Sequence, residues 1–162
     1  MKKILCLLIM VFSLFACDQK RGGNSHIDKF YTNKGGFDLS RFPLLKPYEI
    51  SAVIPGHDWI ITSIDTSEVL GPIPGTKFIN VVDSVIFVQS NNTILDGQPI
   101  KKAWFVIIPK HHLLRGFKSR QEYLNFLSSM HVNDPKMFDV EEVFQVFDNK
   151  DTLDWQELNR RY

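Results

Sequence analysis

The 162-residue chain carries 19 Lys+Arg against 18 Asp+Glu, with 44% hydrophobic and 12% aromatic residues. That is one domain's worth of chain, and its hydrophobic content excludes wholesale disorder. A net charge of +1 excludes broad attraction to nucleic acid or an anionic membrane as the main activity, and two cysteines, at 6 and 17, exclude a disulfide framework or a multi-cysteine zinc site.

The first element is an address. Met1-Lys2-Lys3 opens the chain with positive charge, and Ile4 to Phe15 is an apolar run of 12 residues interrupted only by Ser13. A bilayer-spanning helix needs about 20 apolar residues, so this run reads as the hydrophobic region of a secretory signal. Leu14-Phe15-Ala16-Cys17 follows at once. This tetrapeptide resembles the lipobox of bacterial lipoproteins. The resemblance implies peptidase recognition of Leu14 and Ala16, cleavage between Ala16 and Cys17, and transfer of diacylglycerol to the Cys17 thiol, with the new amino group acylated, commonly by palmitate. Two or three acyl chains anchor stably where one is marginal. The processed chain would have 146 residues, with 17 basic against 18 acidic side chains. Asp18 resembles the inner-membrane retention signal of enteric bacteria, and Asp18-Gln19-Lys20-Arg21 lacks the acidic cluster of surface export. The expected location is the bacterial cell membrane or outer membrane, facing the periplasm.

Asp18 to Ser40 is polar and holds four of the nine glycines. It reads as a flexible tether, in which Phe30-Tyr31 packs on the domain or touches lipid headgroups. The expected organisation is therefore a signal peptide over 1–16, a lipidated cysteine and tether over 17–40, and one globular domain over 41–162. Tyr48-Glu49-Ile50-Ser51 alternates apolar and polar, Pro55-Gly56-His57-Asp58 is a turn signal, and Trp59–Ile64 is rich in β-branched and aromatic residues. These form a hairpin of open register. Gly71-Pro72-Ile73-Pro74-Gly75 is a loop. Phe78–Gln89 and Ala103–Ile108 contain continuous apolar runs, which predict strands covered on both faces. Asn91-Asn92 and Asp96-Gly97 mark turns between them.

Helical signals follow. Ser119-Arg120-Gln121-Glu122 matches a capping box, predicting a helix over 120–130. A second runs from Asp139 to about Asn149, with strand as the alternative. A third, Thr152–Arg160, has acids early and Arg160-Arg161 late, as the helix dipole prefers. The fold class expected is α+β: an antiparallel meander of four to five strands followed by two to three C-terminal helices packed on one face. Trp59-Ile60-Ile61, Trp104–Lys110 and Gly116-Phe117 to Phe126 resemble the matching pieces of a family of uncharacterised small bacterial lipoproteins. The resemblance covers residues 57–131 and implies no activity.

Candidate chemistry is sparse. His111-His112 is the only local concentration of histidine, and adjacent residues on an extended chain diverge, so a metal site is not expected. His57-Asp58 reads as a turn former more readily than as a dyad. No nucleophile elbow, P-loop or dinucleotide fingerprint occurs. Asp148-Asn149-Lys150-Asp151-Thr152-Leu153-Asp154 fails as a calcium loop, since Lys150 and Leu153 hold the third and sixth positions, and reads as a capped helix start. Glu141-Glu142 reads as a solvated face. Aromatic residues are in excess. Most belong in a core, and Trp59 and Trp155 are the rings expected to be half exposed and available to a partner.

The function expected is a lipid-anchored envelope protein that binds an envelope protein partner, as an inhibitor, immunity-type or accessory module, with no enzymatic activity, no cofactor and no nucleic acid. The alternatives are a small-ligand carrier, or a cell-wall hydrolase using His57, Asp58, His111 and His112.

Overall fold

The computed structural model describes residues 28–54, 58–65 and 71–161. The expected signal peptide, Ala16, Cys17, His26 and His57 lie outside these residues. Residues 28–40, which the sequence assigns to the tether, carry secondary structure. A 3-10 turn, Lys29–Tyr31, is capped by the Asp28 side chain and buries Phe30. It leads into β1 (Gly35–Gly36) and β2 (Leu39–Pro43). With β3 (Tyr48–Ala52) and β4 (Ile60–Ser63) these form an antiparallel sheet ordered β1-β2-β3-β4.

Period-two alternation sets its two faces. Tyr48, Ile50 and Ala52 are buried while Glu49 and Ser51 are half-buried, and the register places Phe42 beside Ile50 and Ile50 beside Ile61. The β3–β4 hairpin is the one expected. A single bridge from Ile73 to Ile61 pins the Gly71–Gly75 loop against the β4 edge.

The larger sheet is antiparallel, in the order β8-β7-β6-β5-β9: β5 (Thr76–Val82), β6 (Val85–Leu95), β7 (Gln98–Ile108), β8 (Leu113–Phe117) and β9 (Phe138–Asp139). Two-residue turns join β5 to β6 and β6 to β7. Asp83 (φ 47°) with Ser84 (φ 65°), and Asp96 (φ 52°) with Gly97 (φ 70°), supply the paired positive φ angles that match strand twist. Asn91-Asn92, expected as a turn, instead lies inside β6, where Asn92 takes a φ of 49° without breaking the ladder to β7. After Pro109–His111, His112 (φ 47°) reverses the chain into β8.

Three helices follow: α1 (Arg120–Ser129), α2 (Val140–Lys150) and α3 (Trp155–Arg161). The Ser119 hydroxyl accepts from the Glu122 N–H at 3.2 Å, while the Glu122 carboxylate accepts from the Lys118 N–H at 3.2 Å. The Asp139 and Asp154 carboxylates cap α2 and α3 by accepting from the Glu141 and Glu157 N–H groups.

The α+β class and its order, meander then helices, are as the sequence predicts. The helices divide between the two faces of the large sheet, where one face was expected. Phe87, Val106 and Phe117 on one face pack with Tyr123 and Leu127 of α1. Ile86, Val88, Phe105 and Ile107 on the other join Phe42, Ile50 and Ile61 of the small sheet, Val143 and Phe147 of α2, and Leu158 of α3. The continuous apolar runs of β6 and β7 are the cause, because both faces of a strand without polar alternation need cover.

Candidate functional site

A cleft of about 760 Å³ opens between the start of β3 and the β7–β8 connection, with Tyr31, Lys46, Ile64, Asp65, Lys110 and His112 among its walls. Asp28, where the described chain begins, sits here: its carboxylate holds the Lys46 ammonium at 2.7 Å, and this pairing keeps the lysine protonated to higher pH than usual. The Lys46-Pro47 peptide bond is cis. His112 lines the cleft, whereas His111 is exposed beside it and not part of the lining. Among the described residues no group of three or more His, Cys, Asp or Glu could hold a metal ion.

Asp58 lies at the opposite end of β4, on a second cleft of about 460 Å³ that also involves Trp59, Asn91 and Glu141. Some 20 Å of extended strand separate Asp58 from Asp65 in the first cleft. The structure therefore does not bring Asp58 and His112 together.

Trp59 corrects an expectation. Its side chain is 3% exposed, not half exposed. It opens β4 on the inward face, 5.7 Å from the Phe42 ring and 5.2 Å from Phe144. Its indole N–H donates to the Glu141 carboxylate in the first turn of α2. Glu141 is thus a hydrogen-bond acceptor at a packed corner, while Glu142 alone of the pair is exposed. Trp155 is half-buried, packs on the main core, and its buried Nε1 has no partner among the described residues. Trp59 offers no ring to the surface, whereas Trp155 is half exposed as expected and lines a cleft with Gln156 and Asn159.

The acidic 148–154 segment is structural. Asp151 (φ 58°) ends α2 and Asp154 caps α3. Asp151 and Asp148 receive the Lys34 ammonium at 2.6 and 3.4 Å. This pairing, chiefly with Asp151, raises the Lys34 pKa above its ordinary value.

An apolar rim was missed in the sequence. The register that pairs Ser40 with Ala52 brings Leu39 alongside Val53 at the end of the small sheet. Phe37 (105% exposed), Val53 (72%) and Ile54 (62%) stand there in solvent with Leu39. Phe37 was hidden behind Gly35-Gly36 in a polar stretch, and Val53-Ile54 looked like an ordinary strand end before Pro55. Asp28 binds Lys46 just before β3 begins, and the rim lies just after β3 ends, about 16 Å along the strand.

No helix among the described residues is long and apolar enough to cross a membrane. Compared with models of known protein families, with curated proteins and with solved structures, the chain matches none of them.

Proposed function

We propose that this is a lipid-anchored bacterial envelope protein whose domain binds a protein partner, in an inhibitory, immunity-type or accessory role. The observation that carries the reading is the apolar rim of Phe37, Leu39, Val53 and Ile54. Large apolar side chains grouped in water mark interaction surfaces. Asp28, where the described residues begin, lies at the other end of β3 from the rim.

The experiment is crosslinking and pull-down of the lipidated protein from its own envelope, beside Cys17→Ala and a Phe37→Ser/Ile54→Ser double variant. A single stoichiometric partner, lost with the double variant, is expected. Equal recovery with the double variant, or turnover of an envelope substrate by the purified protein at ordinary enzymatic rates, overturns the reading. Cys17→Ala should also abolish acyl labelling, and labelling that persists would refute Cys17 as the modified residue.

A second reading, a small-ligand carrier, draws support from the 760 Å³ cleft beside Lys46 and His112, a volume within the usual range of ligand sites. A ligand retained in native mass spectrometry would favour it, and a clean apo mass would count against it.

A further inference from the structure

We infer that the groove between β8 and α1 receives an extended acidic peptide, which adds to the large sheet as a further strand. The site lies on the opposite face of that sheet from the small sheet and its apolar rim. It goes beyond the binding role proposed above and is argued from separate observations.

The first observation is an open edge. β8 ends the sheet order, and its residues pair only with β7, from Trp104 opposite Phe117 to Ile108 opposite Leu113. Among the described residues, no backbone group of Leu113–Phe117 bonds any other segment. Every second N–H and C=O of an edge strand points outward, which is the template that strand addition uses.

The second observation is the groove itself. α1 packs Tyr123 and Leu127 against Phe87, Val106 and Phe117 and leaves a groove of about 500 Å³ along the β8 edge. Arg115 and Phe117 line one side, and Glu122, Asn125 and Phe126 the other. An edge strand beside a helix receives an extended peptide with its backbone on the strand and alternate side chains in the groove.

Charge selects the occupant. From residue 97 to 121 there is no Asp or Glu, while the same stretch holds Lys101, Lys102, Lys110, Arg115, Lys118 and Arg120. Lys118 and Arg120 are engaged, with Asp96 at 3.0 Å and Asp134 at 2.6 Å. Among the described residues Arg115 has no carboxylate partner. Its guanidinium lies over the rings of Phe126 and Phe117, 4.6 and 5.5 Å from their centroids, so its plane is fixed while its N–H edge stays available. The polar neighbours are committed locally: Glu122 to the Lys118 N–H and the Asn125 carbonyl to Gln121 at 2.9 Å. An acidic side chain facing the groove meets Arg115 bidentately, and an apolar one two residues on covers Phe126. The same charge disfavours a second copy of this chain, since two β8 edges would bring Arg115 and its neighbours against one another.

The test is to pan a phage-displayed library of random octapeptides on the purified full chain. Enriched peptides made synthetically are then measured by fluorescence anisotropy. Acidic residues at alternate positions are expected. Binding should weaken at least tenfold with Arg115→Glu and at least tenfold when alternate peptide amides are N-methylated. Arg115→Lys should bind more tightly than Arg115→Glu. Hydrogen exchange on the unmutated chain gives a readout independent of any variant: amides of Leu113–Phe117 should slow when peptide is bound. Failure to enrich any peptide, enrichment without acidic residues, indifference to Arg115→Glu or N-methylation, or unchanged exchange in β8 overturns the inference. So does a dimer formed through β8. An envelope partner still captured by Arg115→Glu, together with loss on the rim variant, would leave the binding role standing while the groove proposal falls to the peptide data.

Discussion

Arg41→Met separates a buried charge from the segment it holds. Arg41 sits on the outer face of β2, 4% exposed, because its neighbour Phe42 turns inward. Its Nε donates to Glu49 Oε2 at 2.7 Å, both terminal nitrogens donate to the Phe30 carbonyl at 3.2 Å, and Nη1 also reaches the Asn33 carbonyl. The guanidinium carbon lies 5.1 Å from the Phe30 ring centre. Methionine keeps the length and removes every one of these bonds, leaving the Glu49 carboxylate, 16% exposed, with no cation. Removing one partner of a buried pair costs about 3–5 kcal/mol. The lost carbonyl bonds overlap with that figure and are not added to it. For a domain of this size the loss corresponds to a fall in Tm of roughly 10–15 °C. Because both charges then leave together, Arg41→Met/Glu49→Leu should recover at least half of it. Urea denaturation of the single and double variants measures the cost, and limited proteolysis reports release of residues 28–34. A single-variant cost below about 1 kcal/mol, or a double variant as unstable as the sum of its parts, would refute the reasoning.

Tyr123→Phe should be neutral or stabilising by up to about 1 kcal/mol, because the hydroxyl is buried with no hydrogen-bond partner among the described residues and that burial, with Asp134 adding to it, holds its pKa above the ordinary tyrosine range. Thermal denaturation checks this, and a clear destabilisation would mean that the hydroxyl has a partner. Lys34 is the pH-sensitive tie. Its folded-state pKa is raised, first by the hydrogen bond to Asp151, so its contribution is fully present below the unfolded lysine pKa and is lost as pH rises through the folded one. The Tm difference between the unmutated chain and Lys34→Met should therefore hold steady from neutral pH to about pH 9 and close at higher alkalinity. A difference that persists unchanged there would show that Lys34 acts through packing.

Local signals were the legible ones. The capping box at Ser119–Glu122 and the Asp96-Gly97 turn act within four residues, so their physics is contained in the string of letters. The Asp83-Ser84 turn was not legible, since neither residue advertises positive φ as Gly does, and Phe78–Gln89 therefore read as one stretch. β8 was missed because Arg115 and Gly116 interrupt its apolar residues. Gly116 leaves room there for the ends of the Leu95 and Phe105 side chains, which a Cβ would displace, and these neighbours are remote in sequence. Residues 28–34 looked like tether because what orders them is Arg41 and the acids of 148–151. Trp59 looked surface-bound beside its turn because its acceptor, Glu141, comes 82 residues later. The candidate sites share this character. The apolar rim depends on strand register, and the β8 groove depends on where α1 lands.

The two hydrophobic clusters close at different times as a chain is made. The cluster under α1 draws on residues between Val82 and Met137, and its strands are joined by short connections. It is complete once that stretch has emerged. The other cluster begins at Phe42 and ends at Leu158. The small sheet, first to be synthesised, gains partial cover from Ile86, Val88, Phe105 and Ile107 of the large sheet and must still wait for Phe147 to arrive against Phe42. A chain stopped after β9 would keep the meander and α1 yet leave the shared core without Val143, Phe147 and Leu158. The C-terminal helices act as a keystone, and a chain lacking them should be the form most prone to degradation and self-association.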